Sequence, residues 1–208
     1  MLIDWLPNLL IAWSIHLMGV LSPGPAVAML LGVGATRGRT AAIRTCIGIG
    51  MAGATMAFLG VVGLATVLTQ AAGLMTAVKI VGAAYLLWLA WGSFRRMLTP
   101  PPPPSAAVPQ GYGRDIAMGY GMQMSNPKAI GYWVAVISVS EIALAPLPVL
   151  VFFVVCAGII GFLGHGAWGI ALSSLTFRSL YARARAWIEG ALGAFFTVAA
   201  ITVATNRS

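Results

Sequence analysis

The sequence predicts an all-α membrane protein of six transmembrane helices, arranged as two inverted three-helix repeats with helices 1 and 4 broken near mid-membrane. The composition supports the membrane class, because 60% of the residues are hydrophobic and 8% are charged, whereas soluble domains are about one quarter charged. Apolar stretches close to the roughly 20 residues that cross a bilayer recur along the chain. They lie at residues 8–31, 45–68, 73–94, 115–139, 146–175 and 187–205.

A proline-rich segment divides these helices into two sets of three. Residues 98–113 read LTPPPPPSAAVPQGYG, and successive prolines favour extended polyproline II over a packed element. We therefore predict a first repeat at 1–97, a cytoplasmic linker at 98–113 and a second repeat at 114–208. Because each set has an odd number of helices, the second enters the membrane from the opposite side, which makes an inverted pair.

The arginines predict the orientation, since Lys and Arg are enriched in cytoplasmic loops. Apart from Arg207, they lie between helices 1 and 2, 3 and 4, or 5 and 6. Both termini are therefore expected outside. The net charge of +8 is explained by topology and contact with lipid headgroups, so no nucleic-acid partner is expected. These arginines are Arg37, Arg39, Arg44, Arg95, Arg96, Arg114, Arg178, Arg183 and Arg185.

Two proline motifs, SPGP at 22–25 and SNPK at 125–128, interrupt helices 1 and 4. Ser and Asn are favoured N-caps and proline is favoured at the first helical position, so a half-helix is predicted to begin at each motif. Unpaired amides and a positive helix end would attract a carboxylate, helped by Lys128. The alternative is that the motifs are kinks that only shape packing. The predicted substrate-binding residues are Ser22, Pro23, Gly24, Pro25, Gln123, Asn126, Pro127 and Lys128.

Three segments, LSPGPAVAML (21–30), KIVGAAYLLWLAWGSFRR (79–96) and MSNPKAIGYW (124–133), together resemble the LysE/RhtB family of amino-acid exporters. The resemblance implies a carrier of the bacterial inner membrane, not an enzyme, that exports amino acids or similar small metabolites using the proton motive force. Many members have Asn or Asp where this chain has Ala26, and a strongly polar group in helix 2 where it reads GIGMAGATMAF (48–58). These departures concern the contact with the substrate ammonium and the coupling proton site.

Proton coupling requires a group that titrates inside the membrane, and no carboxylate lies at the centre of a predicted helix. Glu189, for example, is placed close to the inner end of helix 6. His165 and His16 are therefore the predicted coupling residues. Tyr85, Trp133 and Trp168 are the cavity-lining candidates. No cofactor or metal is predicted; the expected partners are a small-molecule substrate and the lipid bilayer, and glycine-rich helix faces leave a homodimer open.

Three alternatives remain open at this point. A disulfide-relay-type membrane electron carrier also has six helices with proline-bearing breaks, but it needs a thiol beside each break. Cys46 and Cys156 stand alone, without CxxC or Cys/His spacing. An exporter of an inorganic cation would need a cluster of carboxylate, His or thiolate ligands. A non-transporting assembly factor is not distinguished by the sequence.

Overall fold

A computed structural model describes residues 2–70, 74–99 and 111–205, and this part of the chain is helical without any strand. Most of the predicted proline-rich linker, at 100–110, and Arg207 lie outside the described residues. The helices are α1 (Leu6–Leu21), α2 (Pro25–Gln70), α3 (Leu74–Leu98), α4 (Tyr112–Met124), α5 (Pro127–Ser140), α6 (Leu147–Ala171) and α7 (Leu175–Thr205), with a short 3-10 helix at Ile142–Leu144.

Several of these helices have the length and composition to cross a membrane. Within the described residues, three long apolar segments qualify, at Pro25–Leu64, Leu147–Ala171 and Leu175–Thr202. Shorter apolar helices lie at Leu6–Leu21 and Lys128–Ser140. The chain is therefore a multi-pass membrane protein.

Helix α2 is longer than predicted, because it begins at Pro25, the last residue of the first proline motif. It spans 46 residues and contains one non-helical position, Gly38, with φ 80° and ψ −178°. Glycine adopts a positive φ without the steric penalty of a side chain, so Gly38 separates two helical parts at 25–37 and 39–70. Arg39 and Arg44 consequently lie in a helix rather than in a loop, contrary to the predicted start at residue 45.

The predicted link at 176–186 is also wrong, because α7 begins at Leu175. Ala, Leu and Arg are good helix formers, whereas hydropathy reports affinity for lipid and not backbone conformation. Glu189 therefore lies midway along α7 instead of near a helix end. Its side chain is fully buried, and Arg96 Nε donates to its carboxylate at 2.7 Å.

The helices pack so that the proline motifs lie inside the bundle. Helix α1 packs against α5 and α6, while α2 packs against α4 and α6, and α3 against α5 and α7. Glycines permit close approach at these crossings: a methyl group on Gly48 would meet the Ile116 carbonyl, one on Gly119 the Thr45 carbonyl, and one on Gly164 the Val20 side chain.

Ion pairs connect different helices at several of their ends. Arg37 at the end of the first part of α2 lies 2.6 Å from Asp115 in the first turn of α4, and the Asp115 side chain is 0% exposed. Lys79 in α3 lies 2.5 Å from Glu141, which follows α5. Breaking a buried pair by removing one partner costs about 3–5 kcal/mol, so the Arg37–Asp115 pair holds α2 against α4.

Candidate functional site

A cavity of about 50 Å³, lined by both apolar and polar residues, lies where the two proline motifs meet. Helices α1, α2, α4, α5 and α6 all contribute to its wall. The predicted site residues that line it are Ser22, Gly24, Pro25, Gln123, Asn126, Lys128, His16, His165 and Trp133. The structure thus brings together residues that are more than a hundred positions apart in the sequence.

The first interruption, between α1 and α2, is open towards this cavity. Gly24 O accepts from Ala28 N at 2.9 Å, which is the first hydrogen bond of α2. Ala26 and Val27 lie between these two residues, line the cavity and are buried. Within the described part of the chain, no acceptor bonds to their N–H groups, which are left over as at any helix start. Two residues of the cavity wall therefore have amides without a partner in the described part of the chain.

The prediction that a half-helix begins at Ser22-Pro23 is wrong. Ser22 instead closes α1, with its N–H donating to Met18 O at 2.9 Å and extended backbone angles. A residue that precedes proline is disfavoured in the helical region, which applies both to Ser22 before Pro23 and to Gly24 before Pro25. A new helix cannot begin until Pro25.

The second interruption, between α4 and α5, confirms the predicted cap but not the predicted free amides. Asn126 is the N-cap of α5 and Pro127 its first residue; Asn126 Oδ1 accepts from Lys128 N at 3.1 Å. Asn126 O accepts from Ala129 N and Ile130 N at 2.9 and 3.1 Å. The first-turn amides of α5 are all bonded, so this helix start has no amide left for a ligand.

The Lys128 side chain reaches across the cavity from the second interruption to the first. Its Nζ donates to Ser22 Oγ at 3.0 Å and to Ser22 O at 3.2 Å. A methyl group on Gly24 would lie 3.0 Å from the same Nζ. The ammonium therefore lies beside the start of α2, and the two motifs form one site.

Both candidate histidines line the cavity, and each donates one ring N–H to a backbone carbonyl of α6. His16 Nε2 lies 3.0 Å from Ala157 O, and its Nδ1 lies 3.3 Å from the Tyr132 hydroxyl. His165 Nδ1 lies 2.8 Å from Gly161 O. In the neutral form, His165 Nε2 is then an acceptor.

The aromatic candidates are placed differently from one another. Trp133 lines the cavity and stacks on His16, with ring centroids 4.6 Å apart. Tyr85 lies behind the wall, where its hydroxyl donates to Lys128 O at 2.8 Å. Trp168 lies in the core beside α1 and donates to Val20 O at 3.2 Å. Of the three, Trp133 is the aromatic side chain that a substrate would meet.

The thiols lie away from the cavity wall. Cys46 is buried in α2 and donates to His165 O at 3.0 Å, while Cys156 lies in α6. The described residues place no thiol in the cavity wall, although Cys46 packs in one hydrophobic cluster with Ala26 and Val27 at the start of α2. The described part of the chain also contains no group of three or more His, Cys, Asp or Glu arranged for a metal ion.

Sequence comparison identifies the type of protein that contains this cavity. The sequence profile of the family described as LysE type translocator matches residues 17–207. The chain belongs to this family. No solved structure matches it.

The relatives of this chain include efflux proteins of enterobacteria. The chain is 27% identical to the threonine efflux protein of Escherichia coli (strain K12), over 93% of this chain and 95% of that protein. It is 28% identical to the leucine efflux protein of Klebsiella pneumoniae, over 56% of this chain and 55% of that protein. It is 31% identical to the uncharacterized membrane protein YahN of Escherichia coli (strain K12), over 60% of this chain, and the match spans 56% of that relative.

The sequence analysis did not name two of the residues that line the cavity as site candidates. Tyr132 lines the cavity one turn after Lys128, and the i, i+4 spacing in a helix would have placed both on one face. Gly53 completes the wall from α2.

Proposed function

We propose that this protein is a secondary transporter of the bacterial inner membrane that exports amino acids or similar small carboxylate-bearing metabolites. The observation that supports this best is that Lys128 lines the same cavity as Ala26 and Val27, whose amides have no partner in the described part of the chain. Irregular backbone within the membrane is tolerated only inside protein or beside a cavity. Unpaired donors at such a position can hold the anionic group of a substrate.

The substrate carboxylate binds at the first interruption. Its oxygens accept from the Ala26 and Val27 amides, and the Lys128 ammonium contributes a full charge next to the positive end of α2. Gln123 and Asn126 offer further polar groups on the opposite wall. The threonine and leucine efflux proteins among the relatives support a small carboxylate as the class of substrate.

The transporter is built from six membrane crossings in two inverted halves. In this arrangement α1 with the first part of α2 forms one interrupted crossing, and α4 with α5 forms its counterpart. The packing supports the inverted pair, because the contact of α1 with α6 has a counterpart in the contact of α4 with α2. The two proline motifs then lie at the centre of the membrane, and the halves rock about them to expose the cavity alternately to each side.

Proton coupling proceeds through His165. A proton can add to His165 Nε2 without breaking the bond from Nδ1 to Gly161 O. A proton can add to His16 Nδ1 only if the Tyr132 hydroxyl stops donating a hydrogen bond to that nitrogen. The His165→Ala variant should keep substrate exchange but lose accumulation driven by a pH gradient. Unchanged accumulation would remove His165 from the mechanism.

Uptake into inside-out vesicles tests the proposed function. A panel of radiolabelled amino acids and other small carboxylates is measured with and without a pH gradient, with Lys128→Met vesicles as the control. We expect saturable uptake of at least one carboxylate that the gradient stimulates and the variant lacks. If the protein is inserted and folded but no compound moves under any gradient, the proposed function is wrong.

A further inference from the structure

The cavity borders the end of α1 as well as the start of α2. Three residues near the end of α1 line it, namely His16, Gly19 and Val20. The last carbonyls of a helix have no partners within the helix, and together they carry about half a negative charge. A wall that has free donors at the start of α2 can therefore also offer acceptors at the end of α1.

Several of these carbonyls already have a donor from the protein. Met18 O accepts from Ser22 N at 2.9 Å, and Val20 O accepts from Trp168 Nε1 at 3.2 Å. Ser22 O, directly after the helix, accepts from Lys128 Nζ at 3.2 Å. A ligand would have to share each of these three oxygens with the group that is bonded to it.

The Gly19 carbonyl has no donor among the described residues. Its usual partner would be the N–H four positions later, but that position is Pro23, which has none. Leu21 loses its partner to Pro25 in the same way, yet it is not among the residues that line the cavity. Glycine has no side chain, so Gly19 lines the cavity with its backbone, and its oxygen is an acceptor in need of a donor.

The corresponding carbonyl at the second motif is bonded. Gln123 precedes Pro127 by four positions, which is the spacing of Gly19 and Pro23. Gln123 O nevertheless accepts from Asn126 N at 3.2 Å. The free acceptor is therefore at the same motif as the free amides.

We propose that Gly19 O accepts a hydrogen bond from the α-ammonium group of a transported amino acid. No Asp or Glu is among the residues that line the cavity in the described part of the chain, so an ammonium there depends on an uncharged acceptor. Unwound backbone and helix C-termini hold cations in this way in other transporters. The inference rests on the proposed function, because it assumes that this cavity holds the transported molecule.

The proposal gives each charge of the amino acid a helix end of opposite sign. The carboxylate lies at the start of α2 beside Lys128, and the ammonium lies at the end of α1. The negative carboxylate then interacts with both ammonium groups and offsets the repulsion between them.

Counterflow in proteoliposomes with matched pairs of compounds tests whether the ammonium is bound. In each pair a hydroxyl replaces the ammonium: leucine with 2-hydroxy-4-methylpentanoate, and threonine with 2,3-dihydroxybutanoate. Because a charge-assisted hydrogen bond is stronger than a neutral one, we expect the half-saturating concentration of the transported amino acid to be about tenfold lower than that of its hydroxy acid. Equal values, or lower values for the hydroxy acids, overturn the inference and leave the proposed function standing. If no amino acid and no other carboxylate moves, the proposed function itself fails.

An ester in place of the amide between Gly19 and Val20 tests whether Gly19 O is the acceptor. An ester carbonyl is a weaker acceptor than an amide carbonyl, and every side chain stays the same. The matched control is an ester between Ile11 and Ala12, which also removes one N–H from α1 but lies outside the cavity wall.

We expect the ester after Gly19 to shift the ratio of the two half-saturating concentrations at least about threefold towards the hydroxy acid. The control ester should leave this ratio unchanged. An equal shift in both proteins, or no shift with the ester after Gly19, contradicts the inference. If the protein with that ester does not insert, the wild-type ratio decides.

Discussion

The two proline motifs look alike in the sequence, yet the helices that follow them begin differently. At the first, residues 22–24 are non-helical and the amides of Ala26 and Val27 have no partner among the described residues. At the second, residues 125–126 are non-helical, and the Asn126 side chain and carbonyl bond the first-turn amides of α5. The first motif therefore has the unpaired amides that the proposed function requires, and the second supplies the Lys128 side chain that bonds Ser22.

The difference follows from a few residues. In the first motif the helix begins after a glycine, which has no side chain to cap it, and two prolines keep Ser22 and Gly24 out of the helical region. In the second motif a single proline follows Asn126, which is among the best capping residues. Interrupting a helix thus does not by itself produce a binding site; the capping residue determines whether amides remain available.

Removing the ammonium should have the largest effect. Lys128→Met deletes a charge-assisted hydrogen bond to the substrate, worth about 1.5–3 kcal/mol, or roughly a 10- to 100-fold loss in kcat/KM for export. Lys79→Met is the matched control, since Lys79 pairs with Glu141 outside the cavity, and it should stay within about twofold of wild type. Transport by Lys128→Met at the level of this control would contradict the assigned role.

Converting the first motif into a copy of the second should have an intermediate effect. In Gly24→Asn, the new side chain is placed to accept from Ala26 N as Asn126 accepts from Lys128 N, which removes a substrate donor. We expect about tenfold weaker transport with a melting temperature that does not fall, since Asn caps a helix slightly better than Gly.

Gly24→Ala separates capping from bulk in that experiment. Its methyl group would lie 3.0 Å from Lys128 Nζ, so it introduces the same local crowding without an acceptor. We expect Gly24→Ala to transport better than Gly24→Asn. The reverse order in a counterflow assay would show that bulk, and not the loss of a free amide, impairs the site.

Removing the cap at the second motif should have the smallest effect on transport. Asn126→Ala loses the bond to Lys128 N, which costs about 1 kcal/mol of stability, but the donors at the first motif remain. Thermal unfolding in detergent should show a lowered melting temperature, while the half-saturating concentration changes by less than about threefold. A tenfold rise in that concentration would show that Asn126 also binds the substrate directly.

The sequence predicted the class of the molecule better than its local geometry. The membrane class, the helical content and the family followed from composition and motifs, and the Asn126 cap was correct because Asn-Pro is a strong local signal. The Ser22 cap was wrong because the second proline acts on Gly24, an effect that capping preferences alone do not include. The start of α7 was misplaced for a different reason, because hydropathy does not detect a polar helical segment.

The composition of the cavity could be predicted only in part. The meeting of Lys128 with Ser22 joins positions 106 apart in the sequence, and the engaged carbonyls of Val20 and Ala157 depend on how α1 packs on α6. Such contacts are set by tertiary packing and leave no trace in local patterns. The position of Tyr132, by contrast, follows from helical spacing, because Tyr132 lies four residues after Lys128 on the same helix.

The central claim is that substrate binds to the amides that begin α2. Amide chemical shifts of ¹⁵N-labelled protein in nanodiscs, recorded during titration with a transported carboxylate, test it most directly. We expect the Ala26 and Val27 N–H resonances to move downfield and to saturate at the concentration that half-saturates transport, while those of Ala129 and Ile130 stay in place. Shifts confined to Ala129 and Ile130, or no shift at Ala26 and Val27 under conditions of saturated transport, would contradict the account.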